Sequence, residues 1–138
     1  MARENSMRAR VLNALRPLHA VPIENAVGLG TPDVNCSTGW IELKSEDAWP
    51  KRDTTPLRLK RYTPHQRIWL KRRDAVGRAW LLLRVGREWL LFRGRDADLL
   101  GQSTRKQLFA AATHYWLNTP SDSDLLAVFS NDPTPSQP

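Results

Sequence analysis

The segment "AWLLLRV", residues 79 to 85, carries a single charged side chain, Arg84. A strand with one solvated face alternates apolar and polar residues, so this run specifies a strand covered on both faces. Such a strand needs a packed layer on each side of its sheet, and the chain offers helical periodicity before and after it. The fold class is therefore α/β, a mixed β-sheet flanked by helices.

The remaining elements follow from local signals. Ser6 can cap a helix running to about Leu18, with Val11, Leu12, Leu15 and Leu18 on its apolar face. Pro17 is awkward in the last turn and moves the expected end toward Arg16. A short strand fits between Ala20 and Val27. Residues 33–37 and 40–44 read as a hairpin turning at Thr38-Gly39. Residues 45–62, with Pro50 and Pro56, lack periodicity and read as a long surface loop. Thr63-Pro64-His65-Gln66 opens a helix ending at Gly77, with Thr at the cap and Gln three residues on. Trp69 and Leu70 are expected in the core. Gly86-Arg87 turns into a strand at 88–92, and a final helix is expected from Ser103 to Trp116 through a Thr104–Gln107 capping pattern. The expected order is α-β-β-β-α-β-β-α in one domain, residues 1–118. Residues 119–138 are expected to be a mostly flexible tail, with Leu125 to Phe129 its one apolar patch.

Charge narrows the function classes. The chain has 21 Lys and Arg against 14 Asp and Glu, a net charge of +7. That balance favours a polyanionic partner, nucleic acid first and an anionic membrane second. The single cysteine, Cys36, excludes an internal disulfide and a multi-thiolate zinc site, and fits a reducing compartment. No run approaches the roughly 20 apolar residues of a membrane span, and no signal-peptide core is present. The expected address is cytoplasmic, in the bacterial host cell if the chain is phage-encoded. His19, His65 and His114 are scattered and are assigned to no metal. Gly28 and Gly30 lack the third glycine and following helix of a dinucleotide fingerprint.

The hairpin carries the chemistry. With a turn at Thr38-Gly39, Ser37 faces Trp40 and the count back sets Asp33 opposite Lys44. Glu42 and Lys44 share a face because side chains alternate with period two, so all three charged groups converge. An isolated Glu-x-Lys usually marks a solvated edge strand, but this strand sits centrally, where charge needs a reason. Two carboxylates on adjacent strands can hold a hard divalent cation such as Mg²⁺, with the Leu43 carbonyl between them. A metal there would polarise a phosphoryl oxygen, and an adjacent ammonium can orient or help deprotonate water. Phosphodiester hydrolysis is the matching reaction. The basic run of Lys51, Arg52, Arg58, Lys60, Arg61, Arg67, Lys71, Arg72 and Arg73 begins seven residues after Lys44 and can reach flanking phosphates. Trp49 either stacks on a base or anchors the loop.

Pro32-Asp33, then Glu42-Leu43-Lys44, then a helix bearing Gln66 resembles the PD-(D/E)XK nuclease superfamily. The stretch "YTPHQ" before an amphipathic helix resembles its VRR-NUC branch and related phage resolvase-like nucleases. The resemblance implies a restriction-endonuclease-like core over residues 6–85 and an Mg²⁺-dependent endodeoxyribonuclease, with Mn²⁺ able to substitute. It implies Asp33 and Glu42 as metal ligands, Lys44 at the attacking water and Gln66 orienting Lys44 or that water. The family's further acid falls on Glu4 or Glu24. Gln66 also reads as the reciprocal partner of Thr63 in a capping box. The expected partner is duplex or branched DNA and no membrane. A homodimer is compatible, with "EWLLF" as a candidate edge. The alternative function is a non-catalytic basic nucleic-acid-binding module.

Overall fold

The computed structural model describes residues 2–24 and 30–130. Among the described residues six strands form one mixed sheet in the order β1 (Val21–Pro22), β2 (Val34–Cys36), β3 (Gly39–Glu46), β4 (Ala79–Val85), β5 (Glu88–Arg93), β6 (His114–Trp116). β3 and β4 pair in parallel, and the helix α2 (Pro64–Val76) lies between them in sequence. Helices α1 (Ala2–Ala14) and α4 (Asp122–Ser130) cover one face of the sheet, while α2 and α3 (Arg105–Ala111) cover the other. The fold is mixed α/β, as the apolar character of residues 79–85 requires. Leu81, Leu82 and Leu83 of β4 are all fully buried. Among the described residues no helix is long and apolar enough to cross a membrane.

The side chains of β3 divide the two cores. Ile41 and Leu43 point toward α1 and α4, joining Val11, Leu15, Trp80 and Phe129. The alternate set, Trp40, Glu42 and Lys44, points toward α2, where Leu70, Leu81, Leu83 and Tyr62 pack. Period-two alternation thus sends two charged residues into an interior layer.

The hairpin register differs from the expected one. Cys36 pairs with Gly39 and Val34 with Ile41, so the turn is Ser37-Thr38 and continuing the ladder sets Asp33 beside Glu42 rather than Lys44. Gly39 is a strand residue for a steric reason. A Cβ there would lie 2.5 Å from the Arg78 carbonyl oxygen, so glycine permits β3 to pass the start of β4. The slip is two residues, and a two-residue slip leaves every side chain on its face.

The first helix begins before Ser6 and ends at Ala14, and Pro17 sits in a separate 3-10 turn, Arg16–Leu18. The final predicted helix is split. Its capping box at Thr104–Gln107 is present, but the backbone turns extended at Ala112 and residues 114–116 become β6. Thr113, His114, Tyr115 and Trp116 are β-branched or aromatic, and the edge of β5 offers Trp89, Leu90 and Leu91 as partners. β5 is therefore an interior strand and "EWLLF" is no edge. The order extends to α-β-β-β-α-β-β-α-β-α. The Leu125–Phe129 patch forms α4, with both terminal side chains buried and Asp122 bound by Asn13 and Arg10 of α1.

Asp74 ties the far end of α2 to the sheet. Its Oδ1 accepts from Arg93 Nη2 at 2.9 Å and its Oδ2 from the Arg95 N–H at 3.0 Å. The ion pair is nearly closed to water, so removing one partner strands a buried charge. Asp74→Ala is expected to cost about 3 to 5 kcal/mol. Thermal unfolding followed by circular dichroism checks this, and a change within 1 °C would contradict it.

Candidate active site

The site forms where β2 and β3 part. Their pairing ends at Val34 and Ile41, and beyond it Asp33 Oδ2 accepts the Leu43 N–H at 2.9 Å. A strand residue presents its N–H and C=O on the same edge, so the Leu43 carbonyl faces this opening too. Asp33 is half-buried, whereas Glu42 and Lys44 are buried at 1% and 5% exposure. Glu42 and Lys44 share a face and form an ion pair, and the Asp33 carboxylate lies close enough to Glu42 to raise its pKa.

Glu42 Oε2 is held twice, by Lys44 Nζ at 3.1 Å and by Gln66 Nε2 at 3.1 Å. Its other oxygen, Oε1, is buried with no hydrogen-bond partner. Burial first, and the nearby Asp33 carboxylate second, push the Glu42 pKa up to about 8; Lys44 opposes the rise without cancelling it. A second cation at Oε1 would offset both causes.

Lys44 Nζ also donates to the Arg61 carbonyl at 2.8 Å, which commits two of its three N–H donors. Gln66 serves both roles that its sequence position offers. Its Oε1 accepts from the Thr63 N–H while its Nε2 reaches Glu42, so the capping box fixes the amide that orients the acid. Its side-chain contact is with the carboxylate, not with the Lys44 amine.

The Gly-Leu-Gly segment enters through Gly30; Gly28 lies outside the described residues. Gly30 has φ +84°, and a Cβ on it would lie 2.4 Å from the His65 carbonyl oxygen and 2.8 Å from the Gln66 nitrogen. Glycine therefore permits the chain leading to Asp33 to rest on the first turn of α2. Gly30→Ala is expected to displace that turn and, if the site is catalytic, to lower its rate about tenfold or more, out of proportion to the effect on stability. Comparing single-turnover rate with thermal midpoint checks it, and an unchanged rate would contradict it.

Among the described residues no three His, Cys, Asp or Glu side chains converge as a metal-binding group. Glu24 is exposed just beyond β1 and joins no such group. Glu4 lies in the first turn of α1, where side chains are outside the described part. A cation bound by Asp33 and Glu42 would complete its shell with the Leu43 carbonyl, water and substrate oxygens, which suits Mg²⁺. The donor set fits the ion.

Compared with family models, curated proteins and solved structures, the chain matches none. The functional reading therefore rests on this geometry.

The basic run divides by environment. Lys51, Arg52, Arg58, Lys60, Arg61 and Arg72 are exposed. Lys71 pairs with Asp98 at 2.6 Å, Arg73 lies over the Trp69 ring at 5.0 Å, and Arg67 lies over the Tyr62 ring at 4.8 Å. Trp69 is only half-buried, in edge contact with Trp40, while Leu70 is fully buried. Trp49 anchors its loop, donating to Glu88 at 2.6 Å and packing on Phe109. The loop is tethered further by Leu57 and Tyr62, which are buried in the same core cluster as Leu70 and Leu108.

Tyr62 is the neighbour that sequence reasoning missed. Its ring lies 5.8 Å from Lys44 Nζ as well as under Arg67. The available signal was its place just before the helix cap, where a residue commonly packs on the fourth helical position, here Arg67.

Proposed function

We propose that the chain is a metal-dependent DNA endonuclease with a restriction-endonuclease-like core, cleaving phosphodiester bonds at the mouth of the β2–β3 opening. The observation that carries this reading is Glu42 Oε1, a buried and unpartnered carboxylate oxygen beside a second carboxylate and a lysine. A purely structural Glu–Lys ion pair gains nothing from a second carboxylate set against it, since the like charge of Asp33 raises the Glu42 pKa.

Asp33, Glu42 and the Leu43 carbonyl would hold Mg²⁺, with Mn²⁺ able to substitute. When bound, the ion supplies Lewis acidity toward a phosphoryl oxygen and lowers the pKa of coordinated water. Lys44 has one N–H donor left after Arg61 and Glu42, which would serve the attacking water or a non-bridging oxygen. Gln66 holds the Glu42 carboxylate in its rotamer, and the Asp33 bond to Leu43 fixes the neighbouring strand. The exposed arginines and lysines of residues 51–73 supply phosphate contacts, which makes binding salt-sensitive and largely independent of sequence.

The test is cleavage of supercoiled, linear, flapped and four-way DNA with Mg²⁺ or Mn²⁺. Metal-dependent products from the wild type and none from Asp33→Asn support the reading. Equal cleavage by both would remove the site, and salt-sensitive binding without turnover would favour a non-catalytic binding module.

A further inference from the structure

A cleft of about 410 Å³ lies beside the proposed site, lined by Thr55, Arg58, Leu59, Arg67, Gly101 and Gln102. No acidic side chain lines it. Two carboxylates act on the Tyr62 ring beneath Arg67, Glu42 first and Asp98 second, and each is paired with a lysine, Lys44 and Lys71 respectively. Arg67 Nε is buried and has no hydrogen-bond partner. Guanidinium nitrogens buried without an acceptor are uncommon, because the fork geometry is suited to carboxylate or phosphate oxygens. Arg67 also stands near the start of α2, whose first turn carries no acidic residue, so the helix dipole adds to the positive field.

We propose that this cleft is an anion site that seats a backbone phosphate of the bound nucleic acid, with Arg67 as its principal donor and Arg58 as its second. The inference rests on the nuclease reading for the identity of the ligand, and it adds a fixed anchoring point. Arg67 and Lys44 border the same Tyr62 ring, so a phosphate held in the cleft lies one aromatic ring away from the scissile position. The strand is then gripped at two points and its scissile bond is set by the spacing between them. The same donor chemistry would accept free phosphate, and the experiment separates the two.

The full chain is titrated in EDTA with a fluorescein-labelled 12-nucleotide DNA across a range of salt, comparing wild type, Arg67→Met, Arg58→Met and the charge-matched control Arg87→Met. Arg67→Met is expected to weaken binding about tenfold or more. It should also lower the slope of log K against log salt by about one. Arg87→Met should leave both nearly unchanged. The Arg67 Nε–H resonance of the wild-type protein should shift on adding the DNA, a readout that no variant's folding can disturb. Wild-type affinity and slope in Arg67→Met, or a static Nε–H resonance, would overturn the proposal. A shift with inorganic phosphate but not with DNA would overturn it as well, assigning the cleft to a free anion. Because EDTA removes turnover, failure of the cleavage assay sinks the nuclease reading without touching this result.

Discussion

Lys44→Met is expected to lower the single-turnover rate of Mg²⁺-dependent cleavage roughly 10³-fold, the scale of losing a positioned charge in a closed site. Methionine keeps the buried volume, so the loss reports the amine. Lys44→Arg is expected to restore little. The lysine nitrogen sits 2.8 Å from the Arg61 carbonyl and 3.1 Å from Glu42 in a buried slot, and a planar guanidinium cannot occupy that point without displacing both. Asp33→Asn should fall as far, because it keeps an acceptor for the Leu43 N–H while removing the charge. Gln66→Ala should fall less, about 10- to 100-fold, as expected for a group that orients a ligand rather than contacting substrate. Rates are read at saturating protein with the fold monitored by circular dichroism. A Lys44→Met rate within threefold of wild type would take the amine out of the chemistry.

Where local chemistry decided the structure, the sequence was legible. β4 and α2 fall on the expected residues because an apolar run broken only at Arg84 and a capping box each specify their element without help from distant contacts. The hairpin turn was misplaced because glycine normally signals a turn, whereas Gly39 is required by the close approach of Arg78. That error left the candidate site intact, since Asp33, Glu42 and Lys44 stay on one face after a slip of two. β6 was unreadable because Tyr115 continues the helical stripe of α3, and only the open edge of β5 tips residues 114–116 to strand. The second layer of the site was hidden for a similar reason. Arg61 acts through its main-chain carbonyl, which leaves no residue-type signature, and the one sign of Tyr62 is its place before the helix cap at the end of an aperiodic loop.

The metal-free protein is expected to lose stability as pH rises from about 4.5 to about 8, and Mg²⁺ is expected to restore it most strongly at the upper end. Glu42 has its folded-state pKa raised to about 8 from an ordinary 4.5, chiefly by burial and then by Asp33. Below pH 4.5 both folded and unfolded chains carry the proton, so folding bears no penalty from this group. Between the two values the native state retains a proton that the unfolded state has released. Stability therefore falls with pH across that window and levels off above it. The cost is on the order of a few kcal/mol at pH 8, where the carboxylate must ionise in its buried position. Cation binding at Asp33 and Glu42 reverses the sign, because the ion favours the ionised acid and must displace its proton. Below pH 8 the apparent affinity for Mg²⁺ should accordingly weaken by up to about tenfold per pH unit. Glu42→Gln removes the titration. It should be more stable than wild type at pH 8 without metal, show a flat dependence from pH 5 to 8 and gain nothing from Mg²⁺. Thermal midpoints at pH 5, 6, 7 and 8, with and without 10-fold steps of Mg²⁺, measure all three. A wild-type midpoint that rises with pH without metal, or an equal Mg²⁺ response in Glu42→Gln, would show that Lys44 and Gln66 already satisfy Glu42 and that no ion is needed there.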